Sequence, residues 1–315
     1  MTEHANGATL CARGLTRKFG AHTAVNNISI ELKRGEVLGF LGPNGAGKTT
    51  TMQMLTGNLA PSSGGISICG IDLLERPVAA KAKIGYLPEV PPLYRELYVD
   101  EYLLLAARVH RVPRAARGAA LERVKARCGL PDAGRKLIGS LSKGYQQRVG
   151  IAQAIIHEPD VVILDEPTAG LDPNQIRQIR DLIRELGGQH SVILSTHILP
   201  EVEAVCDQVQ ILHHGNLVYS DTISALEKFH SGRTLLLGLR NAPPESELAG
   251  IPGVAAVEKE GDTLFRLQCA PGANPTDELV ERAVSSHWGL YQLSPARTRL
   301  EDVFVRLTRS EVSTG

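Results

Sequence analysis

EVLGFLGPNGAGKTTTMQML occupies residues 36–55, and the order of its residue types decides the fold. The first part, EVLGFLG (36–42), is apolar almost throughout and reads as a buried strand. The last part opens a helix. Between them GPNGAGKTT (42–50) fits G-x-x-x-x-G-K-[ST], with Gly42, Gly47, Lys48 and Thr49 at the defining positions. Glycines let the backbone curl until several N–H groups face one anion, and the helix N-terminus adds its dipole. Pro43, Asn44, Gly45, Ala46 and Thr50 complete this cradle. Lys48 is then placed to reach outer phosphates, and the Thr49 hydroxyl to ligate Mg²⁺.

Two further runs share the character of the first. VVILDE (161–166) and SVILSTH (191–197) are continuous rather than alternating, as strands buried on both faces of a largely parallel sheet must be. Between them NQIRQIRDLIREL (174–186) sets Ile176, Ile179, Leu182 and Ile183 on one helical face. Strand, helix, strand is the pattern of an α/β fold, whose ligands sit at the carboxyl ends of the strands. Asp165 and Glu166 close one such strand. Taken alone, that pair reads as a turn. Opposite a phosphate loop, Asp165 is assigned to the metal, directly or through water, and Glu166 to the base that deprotonates an attacking water. His197 ends the neighbouring strand and is expected to face the same terminal phosphate.

The totals narrow the class. Apolar residues make up 43% of the 315 and charged ones 22%, enough to build a substantial core. Lys plus Arg (34) balances Asp plus Glu (34), which argues against a dedicated nucleic-acid binder. Cys11, Cys69, Cys128, Cys206 and Cys269 are scattered without a CxxC pair, so neither zinc nor a disulfide framework is expected, and a reducing cytosol fits. The opening MTEHANGATL lacks the basic and apolar regions of a signal peptide. No stretch approaches the roughly 18 apolar residues of a spanning helix. Any work at a membrane therefore requires another chain.

Near residue 210 the pattern changes. VQILHHGNLVYS reads as two strands about a His-Gly-Asn turn, followed by a short helix, SALEKFH, and a linker at Ser231 and Gly232. Beyond it, TLLLGLR and TLFRLQC read as strands and PTDELVERAVSS (275–286) as a helix with Pro275 at its first position. The expected division is 1–231 for the nucleotide-binding part and 232–315 for a small α+β domain without a catalytic constellation. Trp288 and Tyr291 are expected to pack the core of that domain.

One segment remains. LSKGYQQRVG (141–150) opens a helix on which Val149, Ala152, Ile155 and Ile156 share a face, so Ser142 and Gly144 lie at a helix N-terminus. In isolation Ser142 is an N-cap. Phe19, GPNGAGKTT, GYLPE (85–89), LSKGYQQRVGIAQA, VVILDEPTAGLDP and STH (195–197) together, in this order and spacing, resemble the ATP-binding cassette (ABC) ATPases. The resemblance implies a P-loop cassette, with a mixed-sheet RecA-like core and a helical subdomain carrying the signature turn. It implies that two cassettes meet head to tail, with Ser142 and Gly144 of one covering the ATP held by the other and Asp172 at the seam. It also implies that Phe19 stacks on adenine, that Glu89 fills the Q-loop position, and that His197 contacts the γ-phosphate.

Three departures mark this chain: Glu89 where the family usually has glutamine, LSKGY for LSGGQ, and Phe19 for tyrosine. None removes a metal ligand or the base. IGYLPE with PPLYRELYVDEYL, LSKGY and the closing RTRLEDVFVRLT (297–308) resembles ATPase subunits of ABC-2 type exporters, including the gliding-motility and drug or polysaccharide export types. The implied activity is ATP hydrolysis, with ATP and Mg²⁺ as cofactors. The implied partners are a second copy of the chain and a membrane permease on the cytoplasmic face, contacted around residues 89–103. The alternative is a soluble ABC ATPase acting on ribosomes or nucleic acid. It predicts a second cassette, coiled-coil insertions or basic arms, none of which is visible in the sequence.

Overall fold

The structure, a computed structural model, describes residues 7–225, 234–270 and 272–295. The chain divides into two compact units, Met1–Thr222 and Ile223–Gly315. Ser231, Gly232, most of SALEKFH and the closing RTRLEDVFVRLT lie outside the described residues.

The first unit joins two sheets. Strands β1 (Ala8–Phe19) and β2 (His22–Lys33) form a long antiparallel pair. With β4 (Ser63–Ile68) and β5 (Ile71–Asp72) they make a sheet of order β2-β1-β4-β5. The other sheet has the order β10-β9-β3-β8-β7-β6. Its members are β3 (Val37–Leu41), β6 (Ile84–Leu87), β7 (Val161–Asp165), β8 (Ser191–Thr196), β9 (Gln208–His213) and β10 (Asn216–Thr222). Pairings from β9 through β3, β8 and β7 to β6 are parallel, and β9–β10 is the expected hairpin. The sheet is therefore mixed. Every residue of β3, β7 and β8 is buried, which is why their sequences do not alternate.

Helix α1 (Lys48–Leu55) lies in the core that the two sheets share. Its Met52, Met54 and Leu55 pack with Leu10, Ile30, Phe40 and Ile163. The short α2 (Pro77–Lys81) precedes β6, whereas α3 (Val99–Val109), α4 (Arg117–Arg127) and α5 (Lys143–Ile155) form the helical part between β6 and β7. Helix α5 buries Ile151 and Ala154 besides the expected Val149, Ala152 and Ile155, so it is apolar nearly all round at its second half. Helix α6 (Pro173–Gly187) starts where Asp172 accepts from the N–H groups of Asn174 and Gln175, both at 3.0 Å. It buries Ile179, Leu182, Ile183 and Leu186, with Ile176 only half-buried because it lies in the exposed first turn. Helix α7 (Leu199–Val205) follows β8.

The second unit is an antiparallel sheet of order β12-β13-β11-β14. Its strands are β11 (Thr234–Leu239), β12 (Val254–Lys259), β13 (Leu264–Cys269) and β14 (Leu290–Pro295), with helices α8 (Glu245–Ala249) and α9 (Thr276–Ser285). Leu237, Phe265, Leu267, Leu279 and Trp288 form its core. Two expectations need correction. Tyr291 is not core: a register shift between Gly238 and Leu239 in the β11–β14 pairing turns it outward, 48% exposed. There its ring covers Gly238 and its hydroxyl meets Thr263 at 3.1 Å. Pro275 caps α9 rather than opening it, since its own backbone is not helical.

Helix α5 and β6 approach at backbone distance. An added Cβ at Gly85 would run into the Ala154 carbonyl oxygen and stand 2.9 Å from Pro159 Cγ. Gly85→Ala is expected to cost about 1–3 kcal/mol. Gly118, on the exposed side of α4 with nothing near its missing Cβ, should gain about 0.5 kcal/mol on substitution by alanine. Urea midpoints followed by circular dichroism check both signs.

Candidate nucleotide site

The carboxyl ends of β3, β7 and β8 meet beside the N-terminus of α1. Gly47, at φ 105°, ends the loop in a left-handed conformation that lets the chain enter the helix at Lys48. Lys48 is 6% exposed, and its Nζ donates to the carbonyls of Gly42 at 2.7 Å and Pro43 at 3.3 Å. Ala46 lies inside the loop, its carbonyl accepting from Gly215 N–H at 2.9 Å. A cleft of about 580 Å³ opens over the loop. Its walls include the predicted Phe19, Pro43, Asn44, Gly45, Gly47, Lys48, Thr49, Thr50, Glu89, Glu166 and His197. His22 and Ala24, which no sequence motif marks, and Ala169, within VVILDEPTAGLDP, line it as well.

The acid pair diverges at the end of β7. Asp165 pairs with Ser195 of β8 and is fully buried. Its Oδ1 accepts from Ser195 Oγ at 2.7 Å, whereas Oδ2 is buried without a hydrogen-bond partner. Burial first of all raises its pKa; the hydroxyls of Ser195 and Thr49 oppose that, and the charges of Glu166 and Glu89 add to it. A buried carboxylate oxygen with no partner, beside a threonine hydroxyl at the phosphate loop, fits a hard divalent cation. Among the described residues no group of three His, Cys, Asp or Glu side chains forms a metal seat. Asp165 and the Thr49 hydroxyl are the groups that would hold a cation here.

Glu166 turns the other way because its backbone is left-handed, at φ 49°, with its N–H held by the Ser195 carbonyl at 2.8 Å. That conformation is uncommon for a glutamate, and the backbone bond holds it in place. Its carboxylate lies 3.5 Å from Lys48 Nζ and 3.0 Å from His197 Nδ1. Behind it stands a hydroxyl network that sequence reasoning missed. Thr196 Oγ1 is 3.5 Å from Glu166 and donates to Glu201 at 3.0 Å, while Thr168 Oγ1 donates to Glu201 at 2.5 Å. Glu201 is 1% exposed, so these hydroxyls satisfy a buried carboxylate and tie together the loops after β7 and β8.

At the outer wall Phe19 is 48% exposed, with the Arg17 guanidinium 4.6 Å from its ring centroid. The two share a face of β1, and that alternation is the signal that could have found Arg17. Ser142, Gly144 and Asp172 do not line the cleft of their own chain. Ser142 caps α5, accepting from Tyr145 N–H at 3.4 Å, Gly144 packs on Gln175, and Asp172 caps α6.

Comparison with known proteins agrees with this geometry. The family described as ABC transporter matches residues 25–169. An uncharacterized ABC transporter ATP-binding protein of Bacillus subtilis (strain 168), YhcH, is 38% identical over 94% of this chain and 94% of its own length. The bacitracin transport ATP-binding protein BcrA of Bacillus licheniformis is 39% identical over 68% of this chain and 70% of its own. A solved structure described as the ATP binding subunit of an ABC transporter superposes with a TM-score of 0.64 at 32% identity, covering 70% of this chain and 92% of that one. With matches that span nearly the whole chain and a phosphate loop, Glu166 and His197 around one cleft, the protein belongs to the ABC transporter ATP-binding proteins.

Proposed function

We propose that the chain hydrolyses ATP as the motor subunit of an ABC-2 type exporter, working as a head-to-tail pair of copies on a separate membrane permease. The observation that carries the reading is Glu166, fixed between Lys48 and His197 at the mouth of the phosphate loop. Lys48 and the loop N–H groups hold the outer phosphates. Glu166 takes the proton of the attacking water, the water oxygen bonds to the γ-phosphorus, and the bond to the β–γ bridging oxygen breaks. His197, touching the same carboxylate, orients it and contacts the γ-phosphate. Asp165 and Thr49 are the residues that would hold Mg²⁺, which when bound offsets the charge of the triphosphate. Ser142 and Gly144 are read as serving the partner copy's nucleotide, because they do not line the cleft of their own chain.

Two observations support a separate permease. One is the export-type resemblance of IGYLPE and LSKGY. Within 89–103, Val90 is 79% and Tyr94 52% exposed, apolar surface suited to a partner's helix. The place of work is accordingly the cytoplasmic face of a membrane, with residues 232–315 supporting dimer contacts or permease docking.

Glu166→Gln should lower turnover by about a hundredfold or more while nucleotide affinity stays within about threefold. Lys48→Ala should instead weaken nucleotide binding by about tenfold or more. Steady-state hydrolysis and equilibrium binding separate the two, and unchanged turnover in Glu166→Gln would overturn its role as base. The same Glu166→Gln chain, purified with ATP from detergent-solubilised membranes, should bring down a polytopic partner in stoichiometric amount. Recovery with ribosomes or nucleic acid would refute the exporter reading. Removing 232–315 should weaken that recovery or the dimer, and an unaltered complex would dismiss a docking role.

A further inference from the structure

RVHRVPRAARGAALERVKAR (108–127) carries seven of the chain's 34 basic residues and one acidic residue, Glu122. The stretch covers the end of α3, one turn of 3₁₀ helix (Arg114–Ala116) and all of α4. The cations in the second half of α4 are paired: Arg123 with Glu158, Lys125 with Asp100 and Glu122, and Arg127 with Glu185. At the corner between the helices, Arg108, Arg111 and Arg114 are exposed and make no ion pair or side-chain hydrogen bond among the described residues. The Arg117 side chain folds back on that corner, its Nε donating to the Val112 carbonyl at 2.9 Å. Local stability does not account for these charges. Only Arg108, in the last turn of α3, complements a helix dipole. Arg111 holds a left-handed backbone, φ 59°, just after the helix, where glycine is favoured. Arg114 and Arg117 stand at the start of α4, the end at which the dipole opposes a cation, and no acidic residue in its first turn offsets them. Among these arginines Val109 is 69% exposed, and one turn back on α3 Leu105 is 37% exposed.

We infer that this corner binds the anionic headgroups of a phospholipid surface, with the arginines on phosphate and Val109 and Leu105 set into the boundary between headgroups and acyl chains. Guanidinium groups without carboxylate partners are attracted one by one to a negatively charged leaflet, and exposed apolar side chains beside them add buried area. The apolar pair decides between two polyanions. A nucleic-acid backbone offers phosphate but no apolar layer for a valine to enter, and unpaired bases need a free aromatic face to stack on. The aromatic ring of the corner, His110, is already stacked on His157 at a centroid distance of 3.8 Å. The whole chain is balanced, 34 basic residues against 34 acidic ones, so the attraction belongs to this corner and not to a general basic surface. Lipid is itself the partner here. The contact is separate from the permease surface at 89–103 and needs neither nucleotide nor a second copy of the chain. Bound in this way, the chain stays in the plane of its permease between encounters.

Flotation of the full chain with phosphatidylcholine vesicles, with and without phosphatidylglycerol, tests the contact in the absence of any permease. The chain should float with the anionic vesicles only, and added salt should release it. Arg108→Gln, Arg111→Gln and Arg114→Gln combined should weaken the partition constant by about a hundredfold, whereas lysine at the same three positions should hold it within about threefold. Val109→Ser should weaken it by about threefold or more at every salt concentration, a loss that a purely ionic contact would not show. All variants should keep the circular dichroism and the basal ATP hydrolysis of the unsubstituted chain, because none of these residues lines the cleft. Equal flotation with neutral and anionic vesicles, or flotation with neither, overturns the proposal, and so does undiminished flotation of the glutamine variant. Retention of a DNA duplex or of single-stranded RNA that the glutamine variant loses, without binding to anionic vesicles, overturns it in favour of a nucleic-acid surface.

Discussion

The in-register parallel pairing of three strands is the constraint on which the site depends. Leu41 stands opposite Thr196, and Asp165 opposite Ser195, so β3, β8 and β7 end at one level. Three chain segments far apart in sequence therefore emerge together: the phosphate loop after β3, Glu166 after β7 and His197 after β8. A shift of one residue in either of the two pairings would turn a buried strand over and withdraw its terminal side chain. Complete burial of the three strands on both faces fixes the register.

The charges at the ends of β7 and in α7 beyond β8 are expensive to bury, and the fold manages each differently. Asp165 has one oxygen satisfied by Ser195 and the other unmatched. Glu166 shares a lysine and a histidine. Glu201 is held by two threonine hydroxyls, with no ion pair among the described residues. A buried carboxylate bonded only to hydroxyls adds little to stability but determines geometry, since no alternative arrangement satisfies it equally. It belongs to the frame behind the loop carrying Glu166, whereas Asp165 keeps one buried oxygen without a hydrogen-bond partner.

Much of the first unit was legible because its strands are uninterrupted apolar runs, a pattern that burial on both faces imposes. The phosphate loop was legible residue by residue, because each position has a steric or electrostatic requirement that few side chains meet. The β2-β1-β4-β5 sheet left a weaker mark. Its β1–β2 pairing shifts register at four places, between Ala8 and Lys18, and each shift interrupts the alternation that would betray a strand. Contacts across sequence were hidden altogether: nothing local links Thr168 to Glu201, or Thr196 to the carboxylate behind it. Tyr291 was misjudged for the same reason. Aromatic character argues for a core, and only the bulge beside Gly238 shows which way the ring turns.

Where α5 meets β6 two glycines let the elements approach closely. Gly85 touches the backbone of Ala154, and a Cβ at Gly150 would lie 2.6 Å from Leu87 Cδ1 and 3.1 Å from Pro91 Cβ. Elsewhere in a protein a small displacement is absorbed by side chains changing rotamer; at this seam the two backbones bear on each other directly. One of these elements runs back to Ser142 and the other forward to Glu89. A displacement of either backbone at this seam is therefore passed to the other, and with it to the element that Ser142 caps or to the one that leads to Glu89 at the cleft.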